Sequence, residues 1–155
     1  MNARNLVVPA SLLLLAFILV LAAGCTTPGE TSGNPGSNPS GPVEKVEVFH
    51  FHRTQQCSSC ITLGAYAEET VSRYFTPEVA AGRVVFGHVN VDLPENRPLV
   101  EQYGPTGSSL WIGVYTEAGF FKEENVNVWY KIGNKDEYMT YLKGVIGKRL
   151  AGDFS

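Results

Sequence analysis

Between Thr26 and Pro42 the chain reads TTPGETSGNPGSNPSGP, with a single charge and no bulky apolar side chain. A stretch of this composition buries too little apolar surface to offset the entropy lost on ordering. It therefore divides the chain. Any core must be built from Val43 to Ser155, which is room for one ordinary domain without disulfide staples. Residues 25–42 read as a flexible tether in front of that domain.

Residues 1–24 have a different character. Leu6 to Gly24 is almost continuously apolar, Arg4 is the only charge before it, and no Lys or Arg then occurs until Lys45. That asymmetry favours a cytoplasmic N-terminus and export of the rest of the chain. The run closes on Leu21-Ala22-Ala23-Gly24-Cys25. Small residues at such a point suit signal peptidase. A cysteine directly after them resembles the lipobox of prokaryotic lipoproteins, which implies that Cys25 is lipidated and becomes the mature N-terminus. The alternative is an uncleaved helical anchor, since the run approaches the ~20 residues that span a bilayer. Both readings put the domain at the cell membrane, on its extracytoplasmic face.

The chain carries 12 basic and 15 acidic residues, and Lys148-Arg149 is the only adjacent basic pair. Polyanion binding needs clustered Lys and Arg, so nucleic acid is not an expected partner. The chain has three cysteines, too few for a disulfide scaffold. Cys25 ends the leader, and Cys57 and Cys60 form a Cys-x-x-Cys pair.

From Val43 the patterning is alternately strand and helix. Val43–His52 alternates Val46, Val48 and His50 on one face with Glu47, Phe49 and Phe51 on the other, as a central strand would. Cys60, Leu63, Gly64, Ala67, Val71, Tyr74 and Phe75 recur at helical spacing, predicting a helix from Ser58 to about Phe75 with Glu68 and Glu69 in solvent. Pro77 and Gly82 mark a connection. Val84–Val91 is a second strand and Pro98–Tyr103 a short helix stopped by Gly104-Pro105. Leu110–Thr116 is a third strand, and Glu117-Ala118-Gly119 turns the chain into Phe120–Lys122. The alternation of Val126, Val128, Tyr130 and Ile132 predicts a further strand. Asn134 with Glu137 reads as a capping box opening a last helix, whose stripe is Tyr138, Tyr141, Leu142, Val145, Ile146 and Leu150. The order β-α-β-α-β-β-α predicts an α/β fold, a mixed sheet of four to five strands with helices on both faces.

Cys57 and Cys60 at a helix start are suited to thiol–disulfide exchange, which needs one thiolate to attack and a second thiol to resolve the mixed disulfide. Helix amides and the macrodipole stabilise negative charge at that end. Cys57, the outer residue, is the expected nucleophile and Cys60 the resolving thiol, with Ser58 and Ser59 as polar support. Two other readings stay open. One is a structural disulfide. The other is a soft-metal or metalloid site on the same thiolates with His50 or His52 as a further ligand. His88 reads as structural, and Tyr103, Trp111 and Trp129 as core or groove-lining aromatics. No nucleotide-binding glycine loop occurs, so no cofactor beyond a redox-active disulfide is expected.

These features in order resemble thioredoxin: an apolar strand and then Cys57-Ser58-Ser59-Cys60 opening a helix; the strand end His88-Val89-Asn90-Val91-Asp92; the helix end Tyr103-Gly104; and the hairpin at Gly119 before an amphipathic last helix. More narrowly, the chain resembles the nitrophenyl compound nitroreductase subunit ArsF family of thioredoxin-like lipoproteins. That likeness rests on the Phe-His strand end and loop leading into Cys-x-x-Cys, and on Gly107-Ser108-Ser109 before the third strand. The resemblance implies a thioredoxin-like fold over Val43–Leu150 and a protein-disulfide oxidoreductase acting on protein thiols and disulfides or on a membrane redox partner. With one extra loop residue, His50 falls where thioredoxins keep a buried acidic residue, which implies a proton relay to Cys60. Ser108-Ser109 stands where thioredoxins place a cis-proline, and Arg53-Thr54-Gln55-Gln56 lacks the aromatic residue before the first cysteine. A non-catalytic docking module of a membrane complex is the remaining alternative.

Overall fold

The computed structural model describes residues 41–155. The leader, Cys25 and nearly all of the tether lie outside the described residues, and so do the expectations placed on them. No helix among the described residues is long and apolar enough to cross a membrane.

The sheet has four strands in the order β2-β1-β3-β4: β1 Val43–His52, β2 Val84–Asn90, β3 Ser109–Thr116 and β4 Gly119–Glu124. β1 is central, as its two apolar faces predict, pairing parallel with β2 and antiparallel with β3. A parallel pair needs a crossover, and α1 (Ser58–Tyr74) followed by α2 (Thr76–Ala80) supplies it. α3 (Arg97–Tyr103) joins β2 to β3, and α4 (Lys135–Leu150) closes the chain.

Strand alternation sorts the core into two layers. Val46, Val48, Ile112 and Val114 pack with Leu63, Ala67 and Val71 of α1 and with Tyr138, Leu142 and Ile146 of α4. Phe49, Phe51 and Val89 face the other way, onto Tyr103 at the end of α3, with Trp111 and Phe120 beside it. Helices therefore cover both faces. Tyr138 fastens the first layer, its hydroxyl donating to the carbonyl of Leu63 at 2.9 Å. Glu47 is buried in the second layer but fully engaged: it accepts from the hydroxyls of Tyr103 (2.8 Å) and Tyr115 (3.1 Å) and pairs with Lys45 at 2.7 Å.

Two sequence readings need correction. The stretch expected to be a strand over Val126–Ile132 is instead a run of 3₁₀ turns, Val126–Lys131. Alternating apolar residues signal a strand only when alternate side chains are buried. Here Val128 is buried, whereas Val126 and Tyr130 are 50% and 85% exposed. The sheet thus stops at four strands. The stretch from Pro77 is also not a plain connection, because Pro77 occupies the first turn of the short helix α2, a position that tolerates its missing N–H. Asn134 caps α4 as read, accepting from the Glu137 amide at 3.2 Å, but the reciprocal half of the capping box is not made: the Glu137 carboxylate pairs with Lys131 at 2.6 Å, and the Asn134 amide donates to the Lys131 carbonyl at 3.0 Å.

Candidate functional site

The site lies where the C-terminal ends of β1 and β2 meet the start of α1. Beyond His52 the loop is pinned to the end of β2: the Thr54 amide donates to Asp92 at 2.9 Å, and the Asn90 side-chain amide donates to the Thr54 hydroxyl at 3.0 Å. The Thr54 amide holds the Asp92 carboxyl below its ordinary range. The chain is thereby delivered to Cys57 in an extended conformation, φ −77° and ψ 160°, as an N-cap residue.

Cys57 and Cys60 form a disulfide with Cα atoms 5.1 Å apart. Cys57 is exposed and Cys60 partly buried. Cys57 Sγ accepts from the amide of Cys60 at 3.2 Å, so a free N–H of the first helical turn points at the outer sulfur. The first turn of α1 holds no acidic residue, which leaves the positive end of the helix dipole uncompensated there. Ser58 and Ser59 are exposed in the same turn, and Ile61, 55% exposed, gives the disulfide an apolar neighbour.

The serines before β3 have separate surroundings. Ser109 is buried, its hydroxyl donating to the Gly107 carbonyl at 3.2 Å and accepting from the Trp111 indole at 3.1 Å. It secures the entry to β3. Ser108 Oγ lies 3.5 Å from His50 Nε2.

His50 is 1% exposed beneath α1. Gly64 makes that possible, since a Cβ there would collide with the His50 ring. Burial first, and then the neighbouring rings of His88 and His52, push the His50 pKa down from 6.5 to about 4. His50 Nδ1 is 2.9 Å from His88 Nδ1, and His88 Nε2 is 3.3 Å from Glu68 Oε2. His52 Nδ1 is 2.9 Å from the Arg53 carbonyl. The sequence pattern alone marks His88 as structural and Glu68 as a solvated residue, and the fold brings His88 to His50 and Glu68 to His88. The parallel register His50↔His88 is the signal that identifies them, and a single strand pattern does not contain it.

Among the described residues no group of three or more His, Cys, Asp and Glu side chains is arranged to hold a metal ion. A larger cavity of about 480 Å³ lies between the end of β4 and α4, bordered by Tyr141 and Arg149. Arg149 is committed there to Glu123, at 2.7 and 3.0 Å.

The element order, the sheet order and a Cys-x-x-Cys disulfide opening the first helix define a thioredoxin-like fold. A solved thioredoxin from Thermus thermophilus is similar at a TM-score of 0.45 and 19% identity, covering 69% of this chain and 78% of that one. No family model matches the chain, and no curated protein does.

Proposed function

We propose that the protein is a thiol–disulfide oxidoreductase working at the extracytoplasmic face of the cell membrane, held there through lipidated Cys25 and the tether. Its partners are protein thiols and disulfides or a membrane redox protein. One observation carries the reading: an exposed sulfur at a helix N-terminus, bonded to a less accessible sulfur one turn on and receiving a backbone N–H. In the reduced protein the same N–H and the helix dipole favour the Cys57 thiolate, the form that attacks disulfides. Cys60 then displaces the partner. The narrower likeness to the ArsF lipoproteins rests on the Phe-His strand end and loop leading into Cys57-Ser58-Ser59-Cys60, and on Gly107-Ser108-Ser109.

The test uses the full chain. Wild type should catalyse reduction of insulin by dithiothreitol, and Cys60→Ser should accumulate mixed disulfides through Cys57. Absence of both, with the fold intact, sinks the reading and leaves a docking module or a soft-ion carrier. Metal-dependent thermal stabilisation of the reduced chain, abolished when both Cys57 and Cys60 are Ser, would mark the carrier.

A further inference from the structure

All three histidines of the chain stand on the α1 side of the sheet, toward the C-terminal ends of β1 and β2. Ring centroids are 5.2 Å apart for His50–His52 and His50–His88, and 6.2 Å for His52–His88. With Gln56 and Glu68 they border a cavity of about 320 Å³. His50 is buried at its base, while the side chains of His88 and Glu68 are 39% and 61% exposed. Glu68 is the one residue around the cavity with a formal charge. The side-chain oxygen of Gln56 is buried without a hydrogen-bond partner. A carboxylate, an orphan carbonyl oxygen and three imidazoles together are donors for a cation.

Each ring has an acceptor for one of its nitrogens. A carboxylate and a carbonyl only accept. Glu68 Oε2 therefore fixes the His88 hydrogen on Nε2, 3.3 Å away, and the Arg53 carbonyl fixes the His52 hydrogen on Nδ1, 2.9 Å away. The Ser108 hydroxyl, 3.5 Å from His50 Nε2, can accept the hydrogen of that ring. Metal-ligating histidines have this outer arrangement, with one N–H on an acceptor and the other nitrogen left as a free lone pair. In His50 and His88 the nitrogen so left is Nδ1, and the two Nδ1 atoms face each other at 2.9 Å. Two lone pairs do not face at that distance without positive charge between them, either a shared hydrogen or a metal ion. The three rings do not converge on one point as they stand, but these two do.

We propose that His50 Nδ1 and His88 Nδ1 are adjacent ligands of a divalent transition-metal ion, copper(II) above all, with Glu68 as the positioning residue behind His88. At the ~2.0–2.1 Å of a metal–imidazole bond, nitrogens 2.9 Å apart subtend about 90° at the ion. A tetrahedral zinc site needs them about 3.3 Å apart. A right angle between nitrogen ligands belongs to tetragonal copper(II) or nickel(II), and copper(II) stands highest in the affinity order. The remaining positions fall to water, for which the cavity has room. Binding moves the His50 hydrogen from Nδ1 to Nε2, where Ser108 accepts it, so both rings stay neutral and no proton is lost. The parallel register His50↔His88 builds the pair, and Gly64 leaves the space that the His50 ring fills. The site draws on neither Cys57 nor Cys60. It is therefore independent of the thiol–disulfide reading and distinct from a soft-ion site on the thiolates.

The test uses the full chain with Cys57 and Cys60 joined and any free Cys25 thiol alkylated, so that no thiolate is offered. Copper(II), titrated at pH 7 in a non-coordinating buffer, should bind at one equivalent. Electron paramagnetic resonance should show a tetragonal ion coupled to at least two imidazole nitrogens. His88→Gln should weaken binding more than tenfold, and Glu68→Gln about tenfold, the low end for loss of an outer partner. Both side chains lie at the cavity mouth, so the fold survives their replacement, which unchanged far-ultraviolet circular dichroism checks. His50→Gln should abolish binding, and nickel(II) should compete with copper(II) for the same site. Copper affinity within twofold of wild type in His88→Gln places the ion elsewhere and overturns the proposal. So does a resonance without imidazole coupling. Failure of wild type to bind either ion leaves the pair holding a shared hydrogen alone, and overturns it as well. None of these outcomes depends on insulin reduction by the same chain, which decides the thiol–disulfide reading separately.

Discussion

Gly64 of α1 meets His50 of β1 so closely that the helix has no room for a side chain there: a Cβ at position 64 would come within 2.6 Å of His50 Cε1. In an exposed helix Gly→Ala stabilises by about 1 kcal/mol. Here that gain is opposed by overpacking, which costs ~1–3 kcal/mol. Gly64→Ala should therefore lower stability by about 1 kcal/mol in denaturant titration. In a His50→Ala background the same change should become neutral or stabilising. A stabilised single variant would show that the ring does not occupy this space.

His50 also makes a prediction about acid. Its pKa in the folded chain is about 4, against 6.5 for an unperturbed imidazole. Between these values the unfolded chain binds the extra proton and the folded chain does not, so stability rises with pH across the window. The contribution of neutral, buried His50 is complete above pH 6.5 and is lost as pH falls through about 4. The full effect is at most about 3 kcal/mol. The difference in unfolding free energy between wild type and His50→Gln, followed from pH 7 to 4, should change in that direction. A constant difference would mean that His50 titrates normally.

Tyr103 behaves in the opposite sense. Burial first, and then its hydrogen bond to Glu47, push its pKa far above 10.0. The neutral phenol is favoured in the folded chain, so its contribution is complete below pH 10 and declines above it as the unfolded chain ionises. Tyr103→Phe should cost about 2 kcal/mol at neutral pH, the scale of a hydrogen bond to a charged acceptor. It should also flatten the alkaline fall in stability. Equal alkaline slopes for the two proteins would place the titrating group elsewhere.

Local patterns made much of this legible. The two faces of β1, the helix start at Ser58, the Asn134 cap and the hairpin at Gly119 each depend on residues a few positions apart, and each is found as read. The failures have a different source. Val126, Val128 and Tyr130 alternate without alternating burial, because the segment lies past the end of β4 with no strand to pair with. The meeting of His50 with His88 depends on a register between strands 38 residues apart, and Glu68 joins them only because α1 packs over that pair. Strand alternation places a residue on a face, whereas a site also needs the register. Gly64 shows the same limit: its spacing marks it as core-facing, but the ring that excludes a side chain comes from another strand.

An oxidoreductase must remain folded on both sides of its reaction, and the position of the disulfide favours this. Cys57 and Cys60 are three residues apart, so the bond closes a minimal loop and removes little entropy from the unfolded chain, about 2 kcal/mol in the loop-closure account. The core on both faces of the sheet is built without the cysteines, and the Cys60 amide to Cys57 Sγ contact can persist with a thiolate as acceptor. Reduction should therefore lower the thermal midpoint by several degrees while leaving the far-ultraviolet circular dichroism unchanged. Loss of secondary structure on reduction would show the bond to be a structural staple, and a protein that unfolds on accepting electrons could not return them through this site.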